Sequence, residues 1–271
     1  MENVNVQYRD NKVIDRTKKI KHKIAVMSNK GGVGKSTISV NMAMSLHSKG
    51  FRVGLLDADL HGPSVFKMLG IEGQKIMAME DQILPKTAKG IKVISMAGLI
   101  KDSSEPVIWR GPLKMKIVKD FLSNVHWEDL DFLVIDLPPG TGDETLSICQ
   151  LIPELEGFVI VTTPQEMATL DTQKSLSFAS QVNIPVIGVI ENMSSMVCPH
   201  CNKSVDIFGK GGGKKMAQKF DVQFLGELSF DPNIVINADN GKTILCDNNE
   251  NIRKQFQDIM YNIEYFVENK I

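Results

Sequence analysis

The chain has 271 residues, a formal net charge of −1 and 42% hydrophobic content, enough to bury one large core. A balance so near neutral gives no general sign of a nucleic-acid or membrane-surface partner. No internal repeat, low-complexity tract, signal sequence or apolar run long enough to span a bilayer occurs. The expectation is a cytoplasmic protein whose thiols stay reduced and open to metals, with neither nucleic acid nor membrane among its partners.

In chain order, the first 23 residues carry seven basic and three acidic side chains with little periodicity. A flexible, solvated tail is expected over residues 1–22, followed by one folded domain over residues 23–271. The apolar run Ile24-Ala25-Val26-Met27 predicts a buried strand. It leads into Ser28-Asn29-Lys30-Gly31-Gly32-Val33-Gly34-Lys35-Ser36-Thr37, and then into the helical spacing of Ile38, Met42, Met44 and Leu46. Strand, glycine-rich turn and helix start in this order form a nucleotide-phosphate cradle. N–H groups freed by the glycines and by the helix N-terminus point at the phosphates. The candidate cradle residues are Asn29 to Thr37, with Lys35 reaching the β- and γ-phosphates and the Ser36 hydroxyl ligating Mg2+. Asn29 stands where such loops usually begin with glycine, and Asn tolerates the positive φ a turn requires. Lys30 would crowd like charge against its own phosphates, so it is expected to face outward, toward a nucleotide held by a facing subunit.

The strand candidate at 51–56 ends at Asp57-Ala58-Asp59; after a further candidate at 91–96, the one at 131–135 ends at Asp136-Leu137-Pro138-Pro139-Gly140. In an open parallel sheet, ligands gather beyond the carboxyl ends of the strands, which brings both carboxylate stations to the cradle. Asp136 suits a hard cation that keeps several waters. Asp59, the outer of its pair, is expected to orient or activate the attacking water of a phosphoryl transfer. Asp57 is left to order the loop or to lie on the magnesium side. Lys-Gly-Gly-Val-Gly-Lys-Ser over residues 30–36 is the deviant Walker A pattern. On it the chain resembles the family of the septum-positioning MinD, the partitioning ParA and the nitrogenase iron protein. That resemblance implies a nucleotide-sandwich homodimer with Lys30 acting across the interface, Asp59 in switch I, and Asp136 with Gly140 in switch II.

Apolar strands at 157–162 and 184–190 follow; the second runs through Glu191-Asn192-Met193-Ser194-Ser195 toward Cys198-Pro199-His200-Cys201. Two thiols separated by two residues admit four readings: half of a tetrahedral zinc site, half of an iron–sulfur site, a redox dithiol, or an incidental pair. The redox reading lacks the helix start that would lower a thiol pKa, because Asn202-Lys203-Ser204 opens no apolar period. Cys149 and Cys246 stand isolated in a helix-like and a loop-like segment, so a four-cysteine site within one chain is not expected. A symmetric dimer with both pairs on its two-fold axis supplies four thiolates, and Lys30 already points to that dimer. Zinc and a cluster both accept such a donor set. His200 is expected to be exposed rather than a ligand.

The deviant Walker A, Asp57-Ala58-Asp59-Leu60-His61-Gly62-Pro63-Ser64, Trp109-Arg110-Gly111-Pro112, Asp136-Leu137-Pro138-Pro139-Gly140-Thr141-Gly142-Asp143 and Cys-Pro-His-Cys occur in one order. Together they resemble the Mrp/ApbC family of iron–sulfur carrier ATPases over most of the chain. The resemblance implies ATP, Mg2+ and a labile [4Fe–4S] cluster bridged by Cys198 and Cys201 of both subunits, on a loop over residues 196–204. It implies apo iron–sulfur proteins and a scaffold or donor protein as partners, slow ATP hydrolysis coupled to cluster transfer, and Asn192 as a reader of the adenine edge. The extra N-terminal cysteine cluster of the eukaryotic cytosolic relatives is absent from this sequence.

Gly209-Lys210-Gly211-Gly212-Gly213-Lys214-Lys215 imitates a second phosphate loop but lacks the Gly-Lys-Ser/Thr order and a buried strand leading into it. A hinge or the beginning of a helix is expected there. After a strand at 222–226, Ile252, Phe256, Ile259, Ile263 and Phe266 recur at helical steps. The competing reading is a positioning-switch ATPase with structural zinc and a MinD-like membrane helix. The polar face of this helix mixes Glu250, Arg253, Lys254, Asp258, Glu264, Glu268 and Lys270, with no cationic excess for anionic lipid, so packing on the core is expected. Strand candidates alternating with helical stretches predict a single-domain α/β fold, a doubly wound and mostly parallel sheet with helices on both faces.

Overall fold

The computed structural model of the chain describes residues 11–59, 64–79, 82–95, 119, 122–198, 200, 201 and 203–269. Residues 1–10, His61, Gly62, Pro63 and Trp109-Arg110-Gly111-Pro112 lie outside them. Helix α1 (Asn11–Thr17) precedes β1 (Ile20–Met27), α2 (Lys35–Ser48), β2 (Val53–Asp57), α3 (Val65–Met68), β3 (Met77–Met79), β4 (Gln82–Leu84), β5 (Lys86–Ala88) and β6 (Ile91–Ser95). Next come β7 (Leu130–Asp136), α4 (Asp143–Leu151), β8 (Gly157–Thr162), α5 (Glu166–Gln181), β9 (Val186–Asn192), β10 (Met196–Val197) and β11 (Ser204–Val205). The chain continues through α6 (Gly212–Lys219), β12 (Phe224–Leu228), α7 (Pro232–Asp239), a 3-10 turn (Ile244–Cys246) and α8 (Glu250–Glu268).

Eight strands form one sheet in the order β12-β9-β8-β1-β7-β2-β6-β5. Every neighbouring pair is parallel except β5 with β6. Side chains alternate across the sheet, as the two-residue period of a strand requires. Ile24 and Val26 of β1 join α2 and α8 on one face, whereas Ala25 and Met27 join Val13 of α1, Ile148 of α4 and Leu176 of α5 on the other. Both faces are covered, which is why the central strands read as unbroken apolar runs.

The solvated tail expected up to residue 22 does not hold for its second half. Val13 and Ile20 are buried in the second core layer, and residues 11–22 contain α1 and the first three residues of β1. One buried valine in a charged stretch is too sparse a period to announce a helix. The C-terminal helix packs as expected: Ile252, Phe256, Ile259, Met260 and Ile263 are buried against the sheet. Among the described residues no helix is long and apolar enough to cross a membrane.

Candidate functional site

The carboxyl ends of β1, β2, β7 and β9 bring the predicted residues together. Past Met27 the chain turns, and the Ser28 hydroxyl donates to the Lys30 carbonyl at 2.9 Å while the Ser28 carbonyl accepts the Gly140 N–H at 2.8 Å. The base of the loop is thus tied to the segment after β7. Gly34 opens α2 with φ +88°, a left-handed conformation that side chains disfavour. A Cβ there would overlap the Asn192 amide nitrogen, so this glycine is required by space as well as by backbone. Asn192 donates through Nδ2 to the Val33 carbonyl at 2.8 Å. Its other amide hydrogen and its oxygen make no hydrogen bond among the described residues. At the opposite side of the loop Asn29 donates to Asp171 Oδ1 at 2.7 Å, and Lys30 beside it is exposed.

Asp136 is fully buried at the end of β7 and accepts from three side chains of α2. Lys35 Nζ lies 2.7 Å from Oδ1, Ser39 Oγ 2.7 Å from Oδ1, and Ser36 Oγ 2.6 Å from Oδ2. Lys35, Ser36 and Ser39 follow helical spacing, so one face of the first turn and a half of α2 meets one carboxylate. Asp57 is the register partner of Asp136 across β2 and β7. Burial, joined by the charge of Asp136, raises the Asp57 carboxyl from its ordinary 3.8 to about 8, against the opposing hydrogen bond from Ser95 at 2.9 Å. The Asp59 N–H donates to Asp57 Oδ1 at 3.2 Å, which places Asp59 at the rim, half-buried. A hydroxyl and a carboxylate oxygen 2.6 Å apart form the hard oxygen donor set that Mg2+ takes, so Ser36 and Asp136 fit that ion.

The cysteine pair lies on a hairpin that projects beyond β9. Strands β10 and β11 pair antiparallel, and the Cys198 N–H donates to the Lys203 carbonyl at 2.9 Å. N–H groups of His200 and Cys201, with the Cys201 thiol, donate to the Cys198 sulfur and hold its thiol below the ordinary range. Cys201 and His200 are exposed, as are the apolar side chains Val197, Val205 and Ile207 around them. Among the described residues no group of three or more His, Cys, Asp or Glu side chains is placed to hold a metal ion. Cys149 is buried on α4 with its thiol pushed up to about 12, and Cys246 is exposed in the 3-10 turn, so neither joins the pair.

The glycine-rich segment at 209–215 is the start of a helix. Glu191, fully buried, accepts Gly211 N–H at 2.9 Å and Gly213 N–H at 2.6 Å, filling the N-terminus of α6 with the protein's own carboxylate. Sequence reasoning passed over Glu191, Ser39, Ser95 and Asp171. Ser39 was reachable, since it stands four residues after Lys35 on the same helix face. Glu191 had a signal too, a carboxylate inside an apolar strand that must find donors. Ser95 and Asp171 had none, because their partners come from distant segments.

The family described as "ParA: NUBPL iron-transfer P-loop NTPase" matches residues 19–264. The iron-sulfur cluster carrier protein of Methanocaldococcus jannaschii is 49% identical over 259 residues, spanning 94% of this chain and 89% of that protein. The solved structure of a nucleotide-binding protein of Archaeoglobus fulgidus in complex with ADP superposes with a TM-score of 0.75 at 36% identity, covering 86% of this chain and 91% of its own. The septum site-determining protein MinD of Pyrococcus horikoshii, solved with Mg-ADP, gives a TM-score of 0.67 at 19% identity, covering 93% and 99%. At that identity the last likeness concerns the fold alone, a P-loop NTPase sheet.

Proposed function

Because this chain belongs to the family of ParA/NUBPL iron-transfer P-loop NTPases, we infer that it is an ATP-hydrolysing carrier of iron–sulfur clusters. The observation that carries this reading is the coexistence, in one fold, of a phosphate loop and a thiol pair, half-buried Cys198 and exposed Cys201, carried on a hairpin beyond the strand that ends at Asn192. In this reading Asn29 to Thr37 bind the triphosphate. Lys35 leaves Asp136 for the β- and γ-phosphates, and Ser36 and Asp136 hold Mg2+, which screens phosphate charge when bound. Asp136 therefore serves as the internal anion that keeps Lys35 in place until nucleotide arrives. Asp59 orients the attacking water, and Asn192 offers its remaining amide groups to the base. Lys30, exposed at the mouth, completes the site of a second copy.

The cluster is cargo, held by Cys198 and Cys201 of two chains, with Val197, Val205 and Ile207 forming the apolar rim between them. Recipients are apo iron–sulfur proteins, loaded from a donor scaffold, in the cytoplasm. The test is transfer. Protein reconstituted anaerobically is mixed with an apo enzyme that needs a [4Fe–4S] cluster, and recovered enzyme activity is followed with and without MgATP. Recovery by the wild type and none by Cys198→Ala/Cys201→Ala is expected. Equal recovery from the variant, or none from either, would refute the reading.

A further inference from the structure

Glu191 and Asn192 are consecutive residues at the end of β9, and each serves a different half of the site. Asn192 reaches the phosphate loop, donating to the Val33 carbonyl with its amide against Gly34. Glu191 reaches the other way. Its two oxygens grip the N–H groups of Gly211 and Gly213, just past the segment that returns from the thiol hairpin. The outgoing root of the hairpin is fixed from the same strand end. Ser194 N–H donates to the Leu228 carbonyl at 3.1 Å, and the Ser195 carbonyl accepts the Phe230 N–H at 2.6 Å. Both roots of the hairpin that bears Cys198 and Cys201 therefore hang from residues 191–195, whose second member touches the nucleotide loop.

Between input and output the chain is locally strained. Met193 has φ +59°, a left-handed backbone at a non-glycine residue. The Ser194 hydroxyl is fully buried and has no hydrogen-bond partner among the described residues. Two unrelieved costs side by side mark a segment held by its surroundings rather than by its own preferences. Such a segment can have a second arrangement that relieves them, as a switch element requires.

We propose that Glu191–Ser195 is the relay that carries nucleotide state from the phosphate loop to the thiol hairpin. Asn192 senses the loop, Met193 is the hinge, and Glu191 is the clamp on the returning root. A nucleotide that draws Val33 and Gly34 toward its phosphates shifts Asn192, and the shift passes through Met193 to the outgoing root and through the adjoining Glu191 to the returning one. The proposal deepens the carrier reading and rests on its assignment of the site, yet its test needs no cluster.

Full-length chain freed of iron and zinc is treated with iodoacetamide in the presence of Mg-ADP or of a non-hydrolysable ATP analogue with Mg2+. Modification of Cys198 and Cys201 is timed by peptide mass spectrometry. In the wild type the two nucleotides should change the thiol rates by about fivefold or more, the lower end of ordinary coupling between two sites. Glu191→Gln replaces one acceptor oxygen with an amide that cannot receive an N–H, and should abolish most of that difference while affinity for the analogue is kept. Met193→Gly, which frees the left-handed backbone, should do the same and serves as the second variant if Glu191→Gln folds poorly. An undiminished difference in both folded variants, or no difference in the wild type, would overturn the relay. Failure of cluster binding would show separately, in reconstitution, and would leave the thiol rates readable.

Discussion

Replacing Lys35 with methionine tests whether the buried pair at the head of α2 holds the nucleotide-free site together. Lys35 is 6% exposed and Asp136 0%, and they are 2.7 Å apart. The substitution keeps most of the stem but removes the cation, leaving Asp136 with the hydroxyls of Ser36 and Ser39 and with Asp57 alongside. Deleting one member of a buried pair costs about 3–5 kcal/mol, because the other charge stays behind without compensation. For a domain of this size that is a fall in Tm of roughly 10 °C. Adding Asp136→Asn removes the orphaned charge, so the double variant should be more stable than Lys35→Met alone. Urea unfolding of the nucleotide-free wild type, both single variants and the double variant gives the coupling directly. Additive losses, or a Lys35→Met protein within about 0.5 kcal/mol of wild type, would refute the reasoning.

The raised Asp57 carboxyl, near 8 against an ordinary 3.8, makes the folded nucleotide-free chain bind a proton that the unfolded chain has released. Its contribution is full below about pH 4 and is lost as pH rises through about 8, so urea midpoints should fall across that window. Asp57→Asn should flatten the slope, and an unchanged slope would contradict the assignment. Gly34→Ala places a side chain on a left-handed backbone, at about 1–2 kcal/mol, and drives a Cβ into the Asn192 amide. Titration with a fluorescent ATP analogue should show binding largely lost, and wild-type affinity would count against the described loop. Among the thiols of the unloaded protein, Cys198 should be alkylated well before Cys149, whose thiol burial pushes to about 12. Peptide mass spectrometry reads the order, and a reversed order would contradict the hairpin geometry.

The apolar runs that end at Met27, Asp57, Asp136 and Asn192 were legible because both faces of a parallel sheet are buried, which leaves unbroken hydrophobic stretches. The phosphate loop was legible because glycines, lysine and serine stand at fixed offsets along one chain segment. Pairings across the sheet were not. The bond from Asn29 to Asp171 spans 142 residues, and the link from Ser95 to Asp57 depends on β6 lying beside β2. Short edge strands such as β5 carry no clear period, and α1 hides its one fully buried valine among charges. The resemblance implies Asn192 as a reader of the adenine edge, and its bond to the Val33 carbonyl, 159 residues away in sequence, was not legible.

Anaerobic reconstitution with iron and sulfide is the most direct test of the carrier account, using wild type and Cys198→Ala/Cys201→Ala. Visible absorbance would be followed, and iron, sulfide and zinc would be quantified per dimer. The account predicts about four irons and four sulfides per dimer in the wild type, as one cluster held by four thiolates requires, and none in the variant. Tight zinc with no cluster uptake would contradict it and leave a zinc-tied ATPase.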